Sequence, residues 1–279
     1  MRYPFSKYEG LGNDFLVVEQ ARFAEVTPQL AAQLCDRHFG VGGDGVLITG
    51  LREGRPFMLV VNADGSRPEM CGNGLRCVAL YLADRGLVQD DAFEVATEAG
   101  PHFVRITREE VDGKQGANVQ VRMRHASLEA EDVMSAQHGR FIDQPFALDA
   151  NSVKLSAVSM GNPHAVTFDA LEGQHAALGP RIEKDARFKA GANVGFAHVR
   201  GKDDLDLVVW ERGVGFTLAC GTGACAAAVA AVESGRATRH APITVRLPGG
   251  PLTIKVGEPG TPIEMTGPAR RVFDGEIDL

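Results

Sequence analysis

The chain has 279 residues, 44% hydrophobic and 23% charged, with a formal net charge of −7, a composition ordinary for a globular protein of one large or two smaller domains. The negative balance argues against a nucleic-acid or membrane-surface partner, although not against a small zwitterionic substrate. No run of about 18 apolar residues is present, and Met1-Arg2-Tyr3-Pro4 lacks the apolar core of a signal peptide, so no membrane association and a cytoplasmic location are expected. Five cysteines are an odd number for a disulfide framework and read as packing or functional thiols.

Tyr3 to Glu19 reads as an extended entry around a Gly10–Asp14 turn, with Phe15-Leu16-Val17-Val18 a buried strand. Pro28 to Phe39 carries Leu30, Ala31, Leu34 and Cys35 at helical spacing, with Thr27 as N-cap and Gly40 beyond the end. Cys35 therefore belongs to an apolar stripe. Gly40-Val41-Gly42-Gly43-Asp44-Gly45 lacks the Gly-Lys-Ser/Thr ending of a phosphate loop and precedes a strand, Val46-Leu47-Ile48, where such a loop precedes a helix. Phe57–Asn62 is a strand. A helix follows from Leu75 to Arg85, stopped at Gly86.

Ala92–Ile106 gives two strands around Gly100-Pro101, and Asn118–Arg124 alternates as a further strand. His125–Gln144 is polar and irregular, the expected connector. Strands are expected at Ala192–Val199, Leu205–Val209, Ile243–Arg246 and Leu252–Val256, with Arg270–Leu279 closing the chain as another. The Ala-rich helix Ala224–Glu233 has almost no polar face and must be surrounded by protein.

Two stretches organise this order. Met70-Cys71-Gly72-Asn73-Gly74-Leu75-Arg76-Cys77 returns as Ala219-Cys220-Gly221-Thr222-Gly223-Ala224-Cys225, an offset of 220 − 71 = 149 residues. Gly12-Asn13-Asp14-Phe15 and Gly161-Asn162-Pro163-His164 have the same offset, 162 − 13 = 149, as do Gly86 and Gly235, Gly100 and Gly249, and Asn62 and Glu211. The chain is a duplication. Asn118 maps to Gly267, so each copy's last strand is expected to be donated to the other domain. The expected domains are 1–117 with 267–279, holding Cys71, and 118–266, holding Cys220. The fold class is α+β, with two pseudo-symmetric domains, each a mixed sheet wrapped around a central helix.

Two copies facing each other would set Cys71 and Cys220 on opposite sides of one cleft, each at a helix N-terminus. One base removing a proton and one acid returning it to the other face is the chemistry of racemisation or epimerisation. A thiol at a helix N-terminus is biased toward thiolate, and the same N–H groups, of Gly72-Asn73 and Gly221-Thr222, could grip a carboxylate and the enediolate that forms from it. No lysine sits in a pyridoxal-phosphate-like context, which points to cofactor-independent proton transfer. Cys71 with Cys77, and Cys220 with Cys225, lack the close pairing of structural zinc or of a redox Cys-x-x-Cys; no metal is expected, and Cys77 and Cys225 read as core residues.

The set Gly10-Leu11-Gly12-Asn13-Asp14-Phe15, Asn62-Ala63-Asp64-Gly65-Ser66, Met70–Cys77, Gly161-Asn162-Pro163-His164, Asn193-Val194-Gly195, Glu211-Arg212-Gly213 and Ala219–Gly223 resembles the diaminopimelate epimerase family, in order from about residue 5 to 275. The resemblance implies interconversion of LL- and meso-2,6-diaminopimelate on the bacterial path to lysine and peptidoglycan, with neither pyridoxal phosphate nor metal, by a homodimer. It implies Cys71 and Cys220 as the acid/base pair and His164 and Glu211 as groups tuning one thiol each. Asn13, Asn62, Asn162, Asn193, Glu211 and Arg212 become substrate-binding residues beside Gly72, Asn73, Gly221 and Thr222. Arg212 suits a distal carboxylate, while Glu211 and the asparagines suit an ammonium. Opposed thiols would also be able to oxidise to a Cys71–Cys220 disulfide. Phe216, Gly45 and Tyr8-Glu9 depart from the family's commoner residues. The related proline racemase and hydroxyproline epimerase family is the alternative; it typically has His at the place of Asn73, and its substrates lack a distal amino acid centre.

Overall fold

The computed structural model describes residues 2–111, 113–148, 151–169 and 173–279. It divides into two compact units, Met1–Arg122 with Thr266–Leu279, and Met123–Met265. The division falls after Arg122 rather than after residue 117, because the strand there pairs with its neighbour as far as Val121.

The first unit contains β1 (Arg2–Gly10), β2 (Asn13–Glu19), α1 (Pro28–Cys35), β3 (Gly45–Arg52), β4 (Arg55–Asn62), α2 (Gly72–Asp84), β5 (Ala92–Thr97), β6 (Gly100–Val111) and β7 (Lys114–Arg122). The second contains β8 (Gln144–Leu148), β9 (Asn151–Ser159), β10 (Pro163–Thr167), α3 (His175–Glu183), β11 (Asn193–Gly201), β12 (Asp204–Glu211), β13 (Gly215–Phe216), α4 (Gly221–Glu233), β14 (Pro242–Leu247) and β15 (Gly250–Lys255). The last strand, β16 (Glu264–Asp278), belongs to the first unit from Thr266 onward.

In the first unit the strands follow the order β1-β2-β3-β4-β5-β6-β7-β16, and β16 pairs back onto β1 from Arg2↔Asp278 to Glu9↔Arg270. The sheet thus closes on itself and leaves no free edge. α2 runs within it, buried from Asn73 to Leu82. In the second unit β8-β9-β10-β11-β12-β14-β15 wrap α4, buried from Gly223 to Ala231. An alanine-rich helix with no polar face can exist only in such a setting.

Both sheets are mixed, and the duplication is visible in how. β2 and β3 are parallel in one unit as β10 and β11 are in the other, and the parallel pair β4 and β5 matches β12 and β14. The offset carries α2 onto α4 residue for residue, 72 + 149 = 221 and 84 + 149 = 233.

Two expectations change. The first helix stops at Cys35, not Phe39, because the Asp36 carboxylate accepts the N–H groups of His38 at 2.7 Å and Phe39 at 2.8 Å and turns the chain. The polar segment 125–144 is no loose connector: Ala130, Val133, Met134 and Phe141 enter the second unit's core, and Ser127 bridges to Ser159. Its apolar residues are spaced around a short 3-10 turn, Ala130–Asp132, so no helical or strand period betrays them.

Candidate active site

Each central helix begins at a cysteine. Cys71 is the N-cap of α2, its extended backbone at φ −133° and ψ 115° and its sulfur accepting the Gly74 N–H at 3.4 Å. Cys220 is the N-cap of α4, with φ −122° and ψ 103°, and its sulfur lies 3.7 Å from Thr222 Oγ1. Glycine three residues along keeps each helix start narrow. A Cβ at Gly223 would lie 3.1 Å from Cys220 Sγ, and one at Gly74 would lie 2.9 Å from Leu47 Cδ2. None of the described cysteines is in a disulfide; Cys35, Cys77 and Cys225 are buried, as core residues should be.

In the first unit Asn73, buried at the second position of α2, donates its amide to Asn13 Oδ1 at 3.1 Å, and Asn13 Nδ2 donates to Asp44 Oδ2 at 2.6 Å. Arg76, one helical turn on and fully buried, donates to Asn73 Oδ1 at 2.9 Å and to the Pro268 carbonyl at 3.1 Å. Asn62 ends β4 in register with Gly45, and its amide closes the local turn on Ser66 Oγ at 2.9 Å.

In the second unit the equivalent pair is Asn162, whose amide donates to Thr222 Oγ1 at 3.3 Å. Asn162 Oδ1 also lies 3.0 Å from His164 Nε2. Burial, then the Arg212 guanidinium, hold His164 down to a pKa of about 3, so the ring is neutral near pH 7.

Asn193, buried, braces the neighbouring chain: its Nδ2 donates to the Pro163 carbonyl at 3.1 Å, and its Oδ1 accepts the Arg212 N–H at 3.0 Å. The exposed Arg212 side chain is tethered through Nη1 to the Ala190 carbonyl at 2.8 Å.

Glu211, at the end of β12, accepts from Thr217 Oγ1 at 2.5 Å and lies in hydrogen-bond contact with Cys220. Burial raises the Glu211 carboxyl above the usual carboxylate range, against the lowering effect of these two bonds. The Cys220 thiol is likewise pushed far up, first by burial and then by the Glu211 charge. The helix N-terminus therefore does not make Cys220 a resting thiolate, as position alone suggested. A buried sulfur beside a carboxylate loses more from desolvation and repulsion than the helix end returns.

Several participants were not singled out from the sequence. Thr217 holds Glu211. Glu183, on α3, accepts from Trp210 Nε1 at 2.7 Å and from the Gly213 N–H at 2.9 Å, fixing the turn that carries Glu211 and Arg212. Phe216, one of the departures, packs edge-on against Trp210 with ring centroids 5.0 Å apart. Among the described residues no group of three or more His, Cys, Asp or Glu side chains is arranged to hold a metal ion. None of the described helices is long and apolar enough to cross a membrane.

The sequence profile of the family described as "Diaminopimelate epimerase" matches residues 5–128 and 156–272. The chain belongs to the diaminopimelate epimerase family. It is 43% identical to diaminopimelate epimerase 1 of Nostoc sp., over 99% of this chain and 100% of that protein. It is also 43% identical to the chloroplastic diaminopimelate epimerase of rice, Oryza sativa subsp. japonica, over 97% of this chain and 79% of that one. Among solved structures, a Bacillus anthracis phenazine biosynthesis protein of the PhzF family superposes with a TM-score of 0.72 at 16% identity, covering 100% of both chains. A hydroxyproline epimerase from Agrobacterium vitis does so with a TM-score of 0.65 at 14% identity, over 100% of this chain and 93% of that one. These two likenesses establish a shared fold.

Proposed function

We propose that the chain interconverts LL- and meso-2,6-diaminopimelate without a cofactor, with Cys71 and Cys220 as the proton-transferring pair. The observation that carries this reading is the repetition itself: each copy caps its buried central helix with a cysteine, and the second copy adds a carboxylate, Glu211, in contact with its thiol. One thiolate takes the α-proton and the other thiol delivers a proton to the opposite face, so the pair ends in the reverse protonation state. Negative charge develops on the substrate carboxylate as the C–H bond breaks, and the helix-start N–H groups at Gly72-Asn73 and Gly221-Thr222 stabilise it.

Glu211 explains how Cys220 reaches the anionic state from a burial that opposes it. Two adjacent buried anions repel, so the pair holds one proton: thiol with carboxylate at rest, thiolate with carboxylic acid when the base is required. His164, a neutral ring, serves the other thiol in the same sense. Arg212, with a guanidinium that can bind a carboxylate bidentately, takes the distal end of the substrate, and Asn13, Asn62, Asn162 and Asn193 complete its recognition.

The reading extends to a cytoplasmic homodimer, for which Val272 and Phe273, half exposed on β16, offer an apolar patch. Light scattering checks the assembly. The activity is tested by incubating the protein with LL-diaminopimelate in heavy water and following α-deuterium and isomer ratio. Deuterated meso product is expected; exchange with proline but none with diaminopimelate would overturn the assignment.

A further inference from the structure

Asn13 and Asn73 are joined in a one-way chain of hydrogen bonds whose ends are chemically fixed. Arg76 can only donate, so it must meet the oxygen of Asn73, 2.9 Å from Nη2. The Asp44 carboxylate can only accept, so it must meet the nitrogen of Asn13, 2.6 Å away. Between them Asn73 Nδ2 donates to Asn13 Oδ1 at 3.1 Å. The direction of both amides follows from the nature of the end groups.

The carboxylate end is itself held. Asp44 Oδ2 also accepts the Asp14 N–H at 3.1 Å, and Asp44 Oδ1 accepts from Arg37 Nη2 at 2.7 Å. Arg37 binds Asp14 through both of its terminal nitrogens, at 3.2 and 2.7 Å, and buried Lys7 pairs with the same Asp14 at 2.6 Å. Gly43 lies against this cluster so closely that a Cβ there would be 3.0 Å from Lys7 Nζ and 2.8 Å from Leu16 Cδ1.

The second copy lacks this arrangement. At the offset of 149, Lys7, Asp14, Arg37 and Asp44 correspond to Ser156, Pro163, Ala186 and Asn193, none of which is charged. The asparagine there has no such fixed ends: Asn162 lies between the Thr222 hydroxyl and His164 Nε2, each able to donate or accept, whereas Asn13 gives its oxygen to the helix residue Asn73 and its nitrogen to Asp44.

We infer that Asp44 is a positioning residue for the reaction, setting the sense of the Asn13 amide so that Asn13 presents an N–H, and therefore reads an acceptor such as a substrate carboxylate and not an ammonium group. An amide carries two N–H donors; Asp44 takes one and leaves the second to the ligand. This assignment rests on the proposed epimerase reading and refines the role of Asn13 within it.

The test is a double-mutant cycle in the full-length protein with LL-diaminopimelate. Asp44→Ala is expected to raise KM about tenfold and to change kcat by less than about threefold, the size expected for one lost charge-assisted hydrogen bond. Asn13→Ala should raise KM comparably, and the double variant should be no more than about twofold worse than Asn13→Ala alone, because Asp44 acts through Asn13. Asp44→Asn, whose amide oxygen still accepts from Asn13, should return KM to within about threefold of wild type. Arg37→Met, which removes the ion pairs but leaves the acceptor, should stay equally close. If Asp44→Ala does not fold, Asp44→Ser takes its place in the cycle. Independent, multiplying effects of the two substitutions, or an unchanged KM in Asp44→Ala, would overturn the inference. A wild-type protein inactive on diaminopimelate would instead remove the epimerase reading, so the two failures are separable.

Discussion

Gly223→Ala probes how tightly the second thiol is placed. The added methyl carbon would stand 3.0 Å from Val209 Cγ2, 3.1 Å from Cys220 Sγ and 3.3 Å from Cys220 Cβ. Comfortable contacts between such atoms begin near about 3.5 Å, so the thiol and Val209 must yield by roughly half an ångström. Overpacking of this kind costs about 1–3 kcal/mol, and the helix preference of Ala over Gly returns up to about 1 kcal/mol. The net loss is about 1 kcal/mol, a fall in Tm of roughly 2–4 °C for a chain of this size.

The kinetic effect should be larger in proportion. A misplacement of about 1 Å can cost a hundredfold in rate, so half of that is expected to lower kcat about tenfold. Gly74→Ala supplies the contrast: its methyl would strike buried Leu47 at 2.9 Å and meet Cys71 Cβ only at 3.5 Å. It should therefore lose stability more than rate. Steady-state epimerisation followed by chiral chromatography, beside thermal unfolding, reads both. Wild-type kcat in Gly223→Ala, or a greater loss of kcat in Gly74→Ala than in Gly223→Ala, would refute the geometry.

Glu211→Gln removes the acceptor for the Cys220 proton while keeping the shape and the bond to Thr217, and kcat/KM should fall about a hundredfold, a usual contribution of a positioned base. A pH effect follows from His164, whose pKa of about 3 in the fold lies below the ordinary histidine value of 6.5. The unfolded chain binds the extra proton between those values, so this contribution to stability is whole above pH 6.5 and fades as the pH falls, by up to about 1.4 kcal/mol per unit. Urea unfolding of wild type and His164→Gln between pH 7 and 4 should show the steeper loss in wild type; parallel curves would contradict the buried neutral ring. Thr27→Ala deletes the cap bond from Leu30 N–H to Thr27 Oγ1, 3.2 Å long, and should cost about 1 kcal/mol in denaturant unfolding with kcat unchanged.

Much of the architecture was legible because the duplication writes every major signal twice. The paired Cys-Gly-x-Gly turns located α2 and α4 to within a few residues, and the absence of a polar face on α4 required its burial. What stayed hidden lacks a local pattern. α3 carries Gly179 and Pro180, both poor helix formers, and it forms because Leu178 and Ile182 enter the core while Gly179 lets the Trp210 ring lie against the helix, where a Cβ would be 2.7 Å from Trp210 Cγ.

The site shows the same division. Cysteines, asparagines and Glu211 sit in motifs, whereas Asp44 and Arg76 also meet partners 31 and 192 residues away that no spacing rule marks. The state of Cys220 is hidden for a related reason. A helix N-terminus is visible in sequence, but the burial and neighbouring carboxylate that outweigh it arise only on folding.

The central claim, two thiols acting on one carbon, is tested most directly by comparing wild type, Cys71→Ala and Cys220→Ala with LL-diaminopimelate in heavy water. Wild type should form meso product with deuterium at the inverted carbon, and each variant should lose epimerisation with greatly reduced α-deuterium exchange. An unaltered rate of epimerisation in either variant would contradict the account.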